Sequence, residues 1–234
     1  MFKDRKYAGL KLGEALKAYE KENPLIIGIP RGGIETAFYV AQKLNAEMVP
    51  VISRKLGYPF NPEFAMGAVA EDGSLYISPM ASSRVSQIQI AEILLKEKHE
   101  IRRRIELLRK GKPLPVLKGR TVIVVDDGIA TGATLFATLE LVKKLKPGKL
   151  IVAAPIGSPE TLLQLEELAQ KVIVLESPPD FYAVSQGYEF FKNLSDEEAL
   201  EFIKRHEIEH GANVTRKDDN SPSEIPPDSH RDDL

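Results

Sequence analysis

The stretch that decides the fold of this 234-residue chain is Thr121-Val122-Ile123-Val124-Val125-Asp126-Asp127-Gly128-Ile129-Ala130-Thr131-Gly132-Ala133-Thr134. Its β-branched apolar run predicts a buried strand that ends at two adjacent carboxylates, and a helical pattern covers about 133–146. Because the first N–H groups of a helix lack internal partners, the small and hydroxyl residues between them favour a phosphate site. The two acids are placed to accept hydrogen bonds from hydroxyls. The stretch therefore predicts a ribose 5-phosphate site, and the alternative is an acidic strand end that only caps a helix.

Apolar strand patterns alternate with helical patterns along most of the chain. Strands are predicted at 25–29, 48–53, 121–125, 149–155 and 172–175. Helices are predicted at 7–22, 34–44, about 84–110, 133–146 and 159–170. A hairpin is expected over 65–78, turning at Asp72-Gly73, and the breaker-rich segment 57–62 is expected to be loop. The alternation predicts an α/β fold with a doubly wound, mainly parallel sheet, whose ligands bind at the carboxyl ends of the strands.

Two further segments follow predicted strands and carry positive charge. In Pro30-Arg31-Gly32-Gly33, the glycines let the backbone approach a bulky anion and Arg31 supplies a cation. Arg54 and Lys55 end the second predicted strand. Each pattern is also compatible with an ordinary turn or a solvated basic pair. Their common position at strand ends predicts an anion site beside the acidic pair.

The segment from Asp126 to Thr134 closely resembles the signature of the type I phosphoribosyltransferases, which bind 5-phosphoribosyl 1-pyrophosphate, and it is most similar to the adenine branch. The resemblance implies that Asp126 and Asp127 hold the ribose 2′- and 3′-hydroxyls. It implies that the 5′-phosphate lies in a loop formed by Gly128, Ile129, Ala130, Thr131, Gly132, Ala133 and Thr134. The hypoxanthine-guanine branch has an Asp where this chain has Ala130, so the proton-transfer role of that Asp is not carried over.

The same resemblance assigns roles to residues elsewhere in the chain. Arg31, Gly32 and Gly33 correspond to the pyrophosphate loop, with a cis peptide expected at Arg31–Gly32, and Arg54 and Lys55 correspond to cations that meet the leaving pyrophosphate. Residues 58–66 correspond to a mobile lid, in which Glu63 is the candidate acid for a proton on the base. Phe181 or Tyr182 would stack on the base, within a small hood at about 178–194. Packing of the hood onto the sheet is the alternative role for both rings.

The function implied by the resemblance is transfer of phosphoribose to a nitrogenous base, with a purine favoured, and release of pyrophosphate. Mg²⁺ is the implied cofactor, and it would touch Asp126 and Asp127 mostly through water and the ribose hydroxyls. A homodimer is compatible with the family. One alternative is a regulatory module that binds phosphoribosyl pyrophosphate or a nucleotide without catalysis. A ribose-phosphate pyrophosphokinase shares the signature, but such enzymes have a duplicated domain.

The composition of the chain narrows the classes of protein to which it could belong. A net charge of −2 argues against a nucleic-acid surface, and the absence of cysteine excludes disulfides and thiolate zinc sites. The N-terminus lacks a signal-peptide pattern and no apolar run could span a bilayer, so a cytoplasmic protein without a membrane partner is expected. Residues 1–210 are expected to form the domain and 211–234 a disordered tail. The charged stretch 96–104 is expected to form ion pairs within its own helix. His206 and His210 are four residues apart, a spacing that could hold a metal ion, but the sequence offers no third ligand nearby.

Overall fold

The computed structural model describes the backbone of residues 1–219 and the side chains of residues 1–211. Its helices are α1 (Arg5–Ala15), α2 (Gly32–Leu44), α3 (Pro79–Ser82), α4 (Gln87–Arg109), α5 (Ala133–Lys144), α6 (Pro159–Glu166) and α7 (Asp196–Asp219), with 3-10 turns at Lys17–Glu22 and Val184–Gly187. Its strands are β1 (Leu25–Gly28), β2 (Glu47–Pro50), β3 (Ser53–Tyr58), β4 (Asn61–Ala70), β5 (Leu75–Ile77), β6 (Thr121–Val125), β7 (Lys149–Ile156) and β8 (Lys171–Glu176).

The central sheet is parallel and has helices on both faces. Its strand order is β2-β1-β6-β7-β8, and Gly28 of β1 lies opposite Val125 of β6. One apolar core lies between the sheet and α1, α2, α4 and α7, and the other is formed mainly with α5. Alternate residues of β6 enter different cores, as Ile123 belongs to the first and Val124 to the second. The predicted doubly wound α/β fold is confirmed.

A second, antiparallel sheet of β3, β4 and β5 was only partly predicted. The expected hairpin at Asp72-Gly73 is present, with Gly73 at φ 90°. The predicted strand 48–53 is present but its predicted end is wrong, because β2 ends at Pro50 and Ser53 begins a strand of the other sheet. The predicted loop 57–62 is also wrong, since β3 and β4 continue to Tyr58 and Asn61. Pro62 is accommodated because the pairing is irregular there, and bulges tolerate a residue that cannot donate to the ladder.

The two ends of the domain pack together beside the sheet. Phe2 forms a parallel bridge with Tyr188, and its N–H donates to the Gly187 carbonyl over 2.6 Å. Helix α7 had no counterpart in the sequence-based assignment. It continues to Asp219, into the segment expected to be a tail, and residues 220–234 lie outside the described residues. In the described part of the chain, no helix combines the length and apolar character that crossing a bilayer requires.

Candidate active site

The acidic pair after β6 and the glycine turn after β1 meet at the carboxyl edge of the central sheet. A Cβ atom added to Gly33 would lie 2.8 Å from the Asp126 Oδ1, and one added to Gly32 would overlap the Asp127 carboxylate. Only glycine permits this approach of the two segments. Arg31 immediately precedes α2 and is exposed, and its guanidinium makes no hydrogen bond within the described residues. The expected convergence of the two loops is confirmed, and the loop that approaches the acids begins with an exposed arginine.

The loop at 128–134 is anchored on its outer side to the neighbouring strand and helix. The N–H of Ile129 donates to the Ile156 carbonyl over 2.9 Å, and the Ser158 N–H donates to the Ile129 carbonyl over 2.8 Å. The Thr161 hydroxyl donates to the Ala130 carbonyl over 2.6 Å. Gly132 adopts φ 70° directly before α5, so the chain can turn into the helix there. The amides at the start of α5 are therefore held in place beside a cavity.

That cavity has a volume of about 140 Å³ and lies over the N-terminus of α5. It is lined by Lys55, Ala65, Asp126, Gly128, Ile129, Ala130, Thr131, Gly132, Ala133, Thr134, Leu135 and Val184. A helix N-terminus and a lysine at one small cavity favour an anion. The predicted phosphate loop thus lines a real cavity, and the hairpin β3–β4 forms its opposite wall.

Arg54 and Lys55 point to different parts of the molecule, because successive side chains of a strand alternate. Lys55 lines the cavity, and its Nζ donates to the Glu63 carbonyl over 2.7 Å. Arg54 donates from Nε to the Glu97 Oε2 on α4 over 2.7 Å. The sequence grouped these cations at the end of a parallel strand, whereas they begin the antiparallel sheet. The structure brings Lys55, rather than both, to the candidate phosphate loop.

The two acids have different surroundings. The Asp127 N–H donates to the Asp126 Oδ1 over 2.9 Å. Burial, followed by the charge of neighbouring Asp127, raises the pKa of Asp126 well above its usual range. Two adjacent carboxylates of this kind are stabilised by hydroxyl donors or by a cation. The pair is therefore chemically suited to a diol and to a bound metal ion.

Sequence reasoning missed two residues that contact the acidic pair. Arg5, from the first turn of α1, donates from Nε to the Asp127 Oδ2 over 2.7 Å. The Tyr188 hydroxyl donates to the Asp127 carbonyl over 2.5 Å. Arg5 lies within the charged run 3–6, which has no pattern that separates it from solvated surface. Tyr188 falls within the predicted hood at about 178–194, where no role was assigned to it, so neither residue carried a sequence signal for the site.

The cis peptide bond was expected at the wrong position. It joins Pro30 to Arg31, whereas the resemblance places it at Arg31–Gly32. Helix α2 already begins at Gly32, so the link to that residue belongs to the helix start. The unusual bond therefore lies one residue earlier.

Within the described residues, the candidate lid acid and base-stacking residues make no hydrogen bond or ion pair with the acidic pair. Glu63 is 94% exposed near the tip of the β3–β4 hairpin. Phe181 packs against the small cluster that contains Phe2 and Tyr188. Tyr182 is 83% exposed, and its N–H donates to the Gln186 Oε1. In the structure, the Phe181 ring packs within the hood, which was the alternative to stacking on a base. The ring of Tyr182 is accessible to a ligand.

The histidine pair lies away from this site, at the edge of the central sheet. The rings of His206 and His210 stack with centroids 5.2 Å apart, and the Nε2 of His206 accepts a hydrogen bond from the Met48 N–H. Within the described residues, no group of three or more His, Cys, Asp or Glu side chains is arranged to hold a metal ion. His206 therefore has a structural partner.

The chain is similar to known proteins over most of its length. The model of the phosphoribosyl transferase domain matches residues 8–190. Two Mycobacterium tuberculosis proteins named "Putative phosphoribosyl transferase" are 36% identical over 207 residues, which is 88% of this chain and 47% of theirs. The chain thus spans about half the length of these curated relatives.

Two other comparisons add detail. The crystal structure of the protein TT1426 from Thermus thermophilus is 39% identical with a TM-score of 0.73, covering 87% of this chain and 98% of that one. A uracil phosphoribosyltransferase of Aquifex aeolicus is 35% identical over 75 residues, which is 32% of this chain and 36% of that protein. The structural match agrees with the α/β architecture described above.

Proposed function

The chain belongs to the phosphoribosyl transferase family, and on that premise we propose that it transfers 5-phosphoribose from 5-phosphoribosyl 1-pyrophosphate to a nitrogenous base. The proposal rests on one observation: Asp126 and Asp127 lie next to the anchored N-terminus of α5, at one edge of the sheet. The acids suit a vicinal diol and the N-terminus suits a phosphate. A ribose 5-phosphate unit has both groups.

In the proposed reaction, the bond between C1 of the ribose and the pyrophosphate oxygen breaks, and a bond from a ring nitrogen of the base to C1 forms. The base loses one proton, and pyrophosphate leaves with the electron pair of the broken bond. The protein accelerates this exchange by holding the two reactants in line and by stabilising the charge that develops on the leaving group. The main-chain amides at 131–134 hold the 5′-phosphate, and Asp126 and Asp127 hold the ribose hydroxyls.

The cations divide between the two ends of the substrate. Arg31 is exposed in the loop whose glycines approach the acids, and it is proposed to meet the pyrophosphate together with the amides of Gly32 and Gly33. Lys55 lies on the wall of the cavity over α5, which supports a contact with the 5′-phosphate. Arg54 would reach the pyrophosphate only after exchanging its Glu97 partner for it.

Mg²⁺ is the proposed cofactor, and the donor set fits it. Asp126 and Asp127 supply carboxylate oxygens, and Mg²⁺ is usually bound by one or two carboxylates together with substrate oxygens and waters. When bound, the ion would neutralise charge on the pyrophosphate. The acids would hold it mostly through water and the ribose hydroxyls.

The acceptor is proposed to be a purine, on two grounds. The Asp126–Thr134 signature is similar to the adenine branch, and the exposed ring of Tyr182 offers a flat apolar face for a base. Stacking tolerates different flat rings, so uracil is the principal competitor, in line with the short similarity to a uracil phosphoribosyltransferase.

The experiment that tests the proposal measures pyrophosphate release from 5-phosphoribosyl 1-pyrophosphate with Mg²⁺ and a panel of purine and pyrimidine bases. We expect turnover with at least one purine and loss of turnover when a chelator removes Mg²⁺. Release with uracil alone would overturn the purine assignment. Absence of release with every base would overturn the transferase proposal.

A non-catalytic sensor of phosphoribosyl pyrophosphate or nucleotides is the second candidate. The observation that favours it is the lack of a placed proton acceptor, since Ala130 has no titratable group and the Glu63 side chain is in solvent. Tight binding of the substrate without turnover would support this role.

Glu63 is proposed to take the proton of the base when the hairpin closes. Glu63→Gln would then lower kcat by about 100-fold, at the lower end of the range of general-base catalysis, while leaving substrate affinity unchanged. A kcat equal to that of the unmodified enzyme would remove Glu63 from the mechanism.

A further inference from the structure

Arg5 is a buried cation whose partners come from two distant parts of the chain. It is 5% exposed, and Asp127, its partner through Nε, is 122 residues away in sequence. Its Nη1 donates to the Lys192 carbonyl over 2.6 Å. The Phe191 ring lies under the guanidinium, with 4.0 Å between Cζ and the ring centroid. The N-terminal helix, the end of β6 and the segment before α7 thus meet at one side chain.

These contacts fix both the position and the plane of the guanidinium. Two N–H groups point to acceptors in different segments, and the aromatic ring sets the tilt. Glu35 of α2 is a second carboxylate nearby, with its Oε2 3.9 Å from Nη1. Lysine has a single charged end and cannot reproduce this fork. The site is therefore built for arginine rather than for any cation.

Arg5 determines which oxygen of Asp127 is available. The Oδ2 accepts from Arg5 and lies against the backbone of Gly32. Tyr188 fixes the main chain of the same aspartate through its carbonyl. Within the described residues the Asp127 Oδ1 accepts no hydrogen bond from an N–H group, and the carboxyl group of Asp126 lies within hydrogen-bond reach of the Asp127 carboxyl. One carboxylate oxygen is consequently held and enclosed, and the other is left to accept from a ligand.

We propose that Arg5 is a positioning residue, which orients Asp127 so that its second oxygen accepts one ribose hydroxyl. The inference rests on the proposed function for the identity of the diol. Arg5 does not touch the substrate itself, and its effect passes through Asp127. Because it also holds the Lys192 carbonyl and Phe191, it links the ribose site to the segment that precedes α7.

Arg109 provides a matched control. It is also buried, its Nη2 donates to the Glu71 Oε1 over 2.7 Å, and its Nη1 donates to the Pro50 carbonyl over 3.0 Å. The two arginines therefore make the same kinds of bonds, but Arg109 has no contact with the acidic pair. Arg109→Lys should lower the stability of the protein as much as Arg5→Lys does, but it should not change the binding of the sugar.

The test is calorimetric binding of ribose 5-phosphate and of its 2-deoxy and 3-deoxy analogues. The unmodified protein should bind ribose 5-phosphate about 10-fold more tightly than the analogue that lacks the hydroxyl held by Asp127, as expected for a hydrogen bond to a charged group. In Arg5→Lys this ratio should fall to about 2, whereas Arg109→Lys should keep it. If Arg5→Ala folds, its preference for ribose 5-phosphate over the deoxy analogue should be lost as well.

In the transferase assay, the KM for phosphoribosyl pyrophosphate should rise in Arg5→Lys more than kcat falls, since the hydroxyl contact exists before and during the reaction. An unchanged preference for ribose in Arg5→Lys would overturn the inference, and so would an equal loss in Arg109→Lys. A wild-type protein that does not distinguish the analogues would also overturn it. Ribose 5-phosphate has no leaving group, so failure of pyrophosphate release would reject the proposed function while this test still stands.

Discussion

The loop at 128–134 and the hairpin formed by β3 and β4 face each other across one cavity, but they are held very differently. The loop is tied to β7 and to α6 through Ile129, Ala130 and their partners, and its start is buried. The tip of the hairpin is exposed, with Phe60 at 93% and Phe64 at 67%. The hairpin contributes Lys55 and Ala65 to the lining of the cavity, and the Lys55 Nζ donates a hydrogen bond back to the Glu63 carbonyl of the same hairpin.

The difference assigns distinct tasks to the two walls. A group common to every substrate, such as a ribose phosphate, is best bound by dipoles that need no rearrangement. A cover that admits and releases substrate must be drawn from weakly held structure. We therefore expect changes in the loop to affect binding and changes in the hairpin tip to affect turnover.

The largest effect is expected from removing the acids at the loop. Asp126→Asn/Asp127→Asn should lower kcat/KM by about 1,000-fold, since two hydrogen bonds to charged groups contribute roughly 1.5–3 kcal/mol each. Asp72→Asn is the control, because Asp72 accepts hydrogen bonds from Ser74 and Lys144 outside the site. Retained kcat/KM in the double variant would place the diol elsewhere.

Two glycines, one against the acidic pair that precedes the loop and one in the hairpin, sharpen the comparison. Gly33→Ala would place a Cβ 2.8 Å from the Asp126 Oδ1, and Gly57→Ala would place one 2.6 Å from the Pro62 Cα within the hairpin. Gly33→Ala should weaken ribose 5-phosphate binding by about 100-fold, as loss of positioned contacts typically does. Gly57→Ala should leave that affinity intact and lower kcat. Equal effects of both variants on affinity would mean that the two walls are not distinct.

The scaffold that carries both walls should weaken in acid. Burial lowers the pKa of His206 to about 4, from an unperturbed value of 6.5. The folded state therefore binds fewer protons than the unfolded state between these values, and its stability falls as the pH decreases from 6.5 towards 4. The loss should be about 2 kcal/mol at pH 5 relative to pH 7. Urea unfolding at both pH values measures it.

His206→Gln is the control for that measurement. Its side-chain oxygen can still accept from the Met48 N–H but does not titrate. The same loss of stability in this variant would assign the effect to other groups. Variants of the two walls should therefore be compared above pH 6.5, where the titration of His206 does not lower the stability of the protein.

The aromatic side chains at the hairpin tip should give the smallest effect, and one confined to turnover. Phe60→Ser/Phe64→Ser should lower kcat by about 10-fold, because the two rings would no longer help to exclude water over the bound substrate. Ribose 5-phosphate affinity should not change, and unfolding free energy should change by less than about 0.5 kcal/mol for such exposed positions. A loss of affinity in this variant would contradict the assignment of binding to the loop and of turnover to the hairpin.

Protection from a protease provides an independent view of the same motion. Cleavage within 57–66 should slow when phosphoribosyl pyrophosphate is added, if the hairpin closes over it. Unchanged cleavage under saturating ligand would argue against closure.

Local sequence patterns were sufficient to predict the central sheet and the position of Asp126 and Asp127 at its carboxyl edge. The run at 121–125 is buried because its β-branched residues serve both cores, and the acids after it must lie at a carboxyl edge. The meeting with Gly32 and Gly33 then follows from parallel pairing of β1 and β6. Each step uses residues close in sequence or a general rule of sheet topology.

The errors share a dependence on distant contacts. The break after Pro50 occurs because Ser53 pairs with Ala70 in a second sheet, which the apolar run at 48–53 does not reveal. Arg5 is selected by Asp127 and Lys192, far along the chain. Its immediate neighbours are ordinary charged residues. Such positions are recognised only when the folded chain brings their partners together.

The most direct test of the central claim is a crystal structure of the protein soaked with ribose 5-phosphate and Mg²⁺. We expect the phosphate oxygens within hydrogen-bond distance of the main-chain amides at 131–134, and the 2- and 3-hydroxyls on the Asp126 and Asp127 carboxylates. A sugar bound with its hydroxyls at α5 and its phosphate at Arg31, or bound away from this edge of the sheet, would contradict the account.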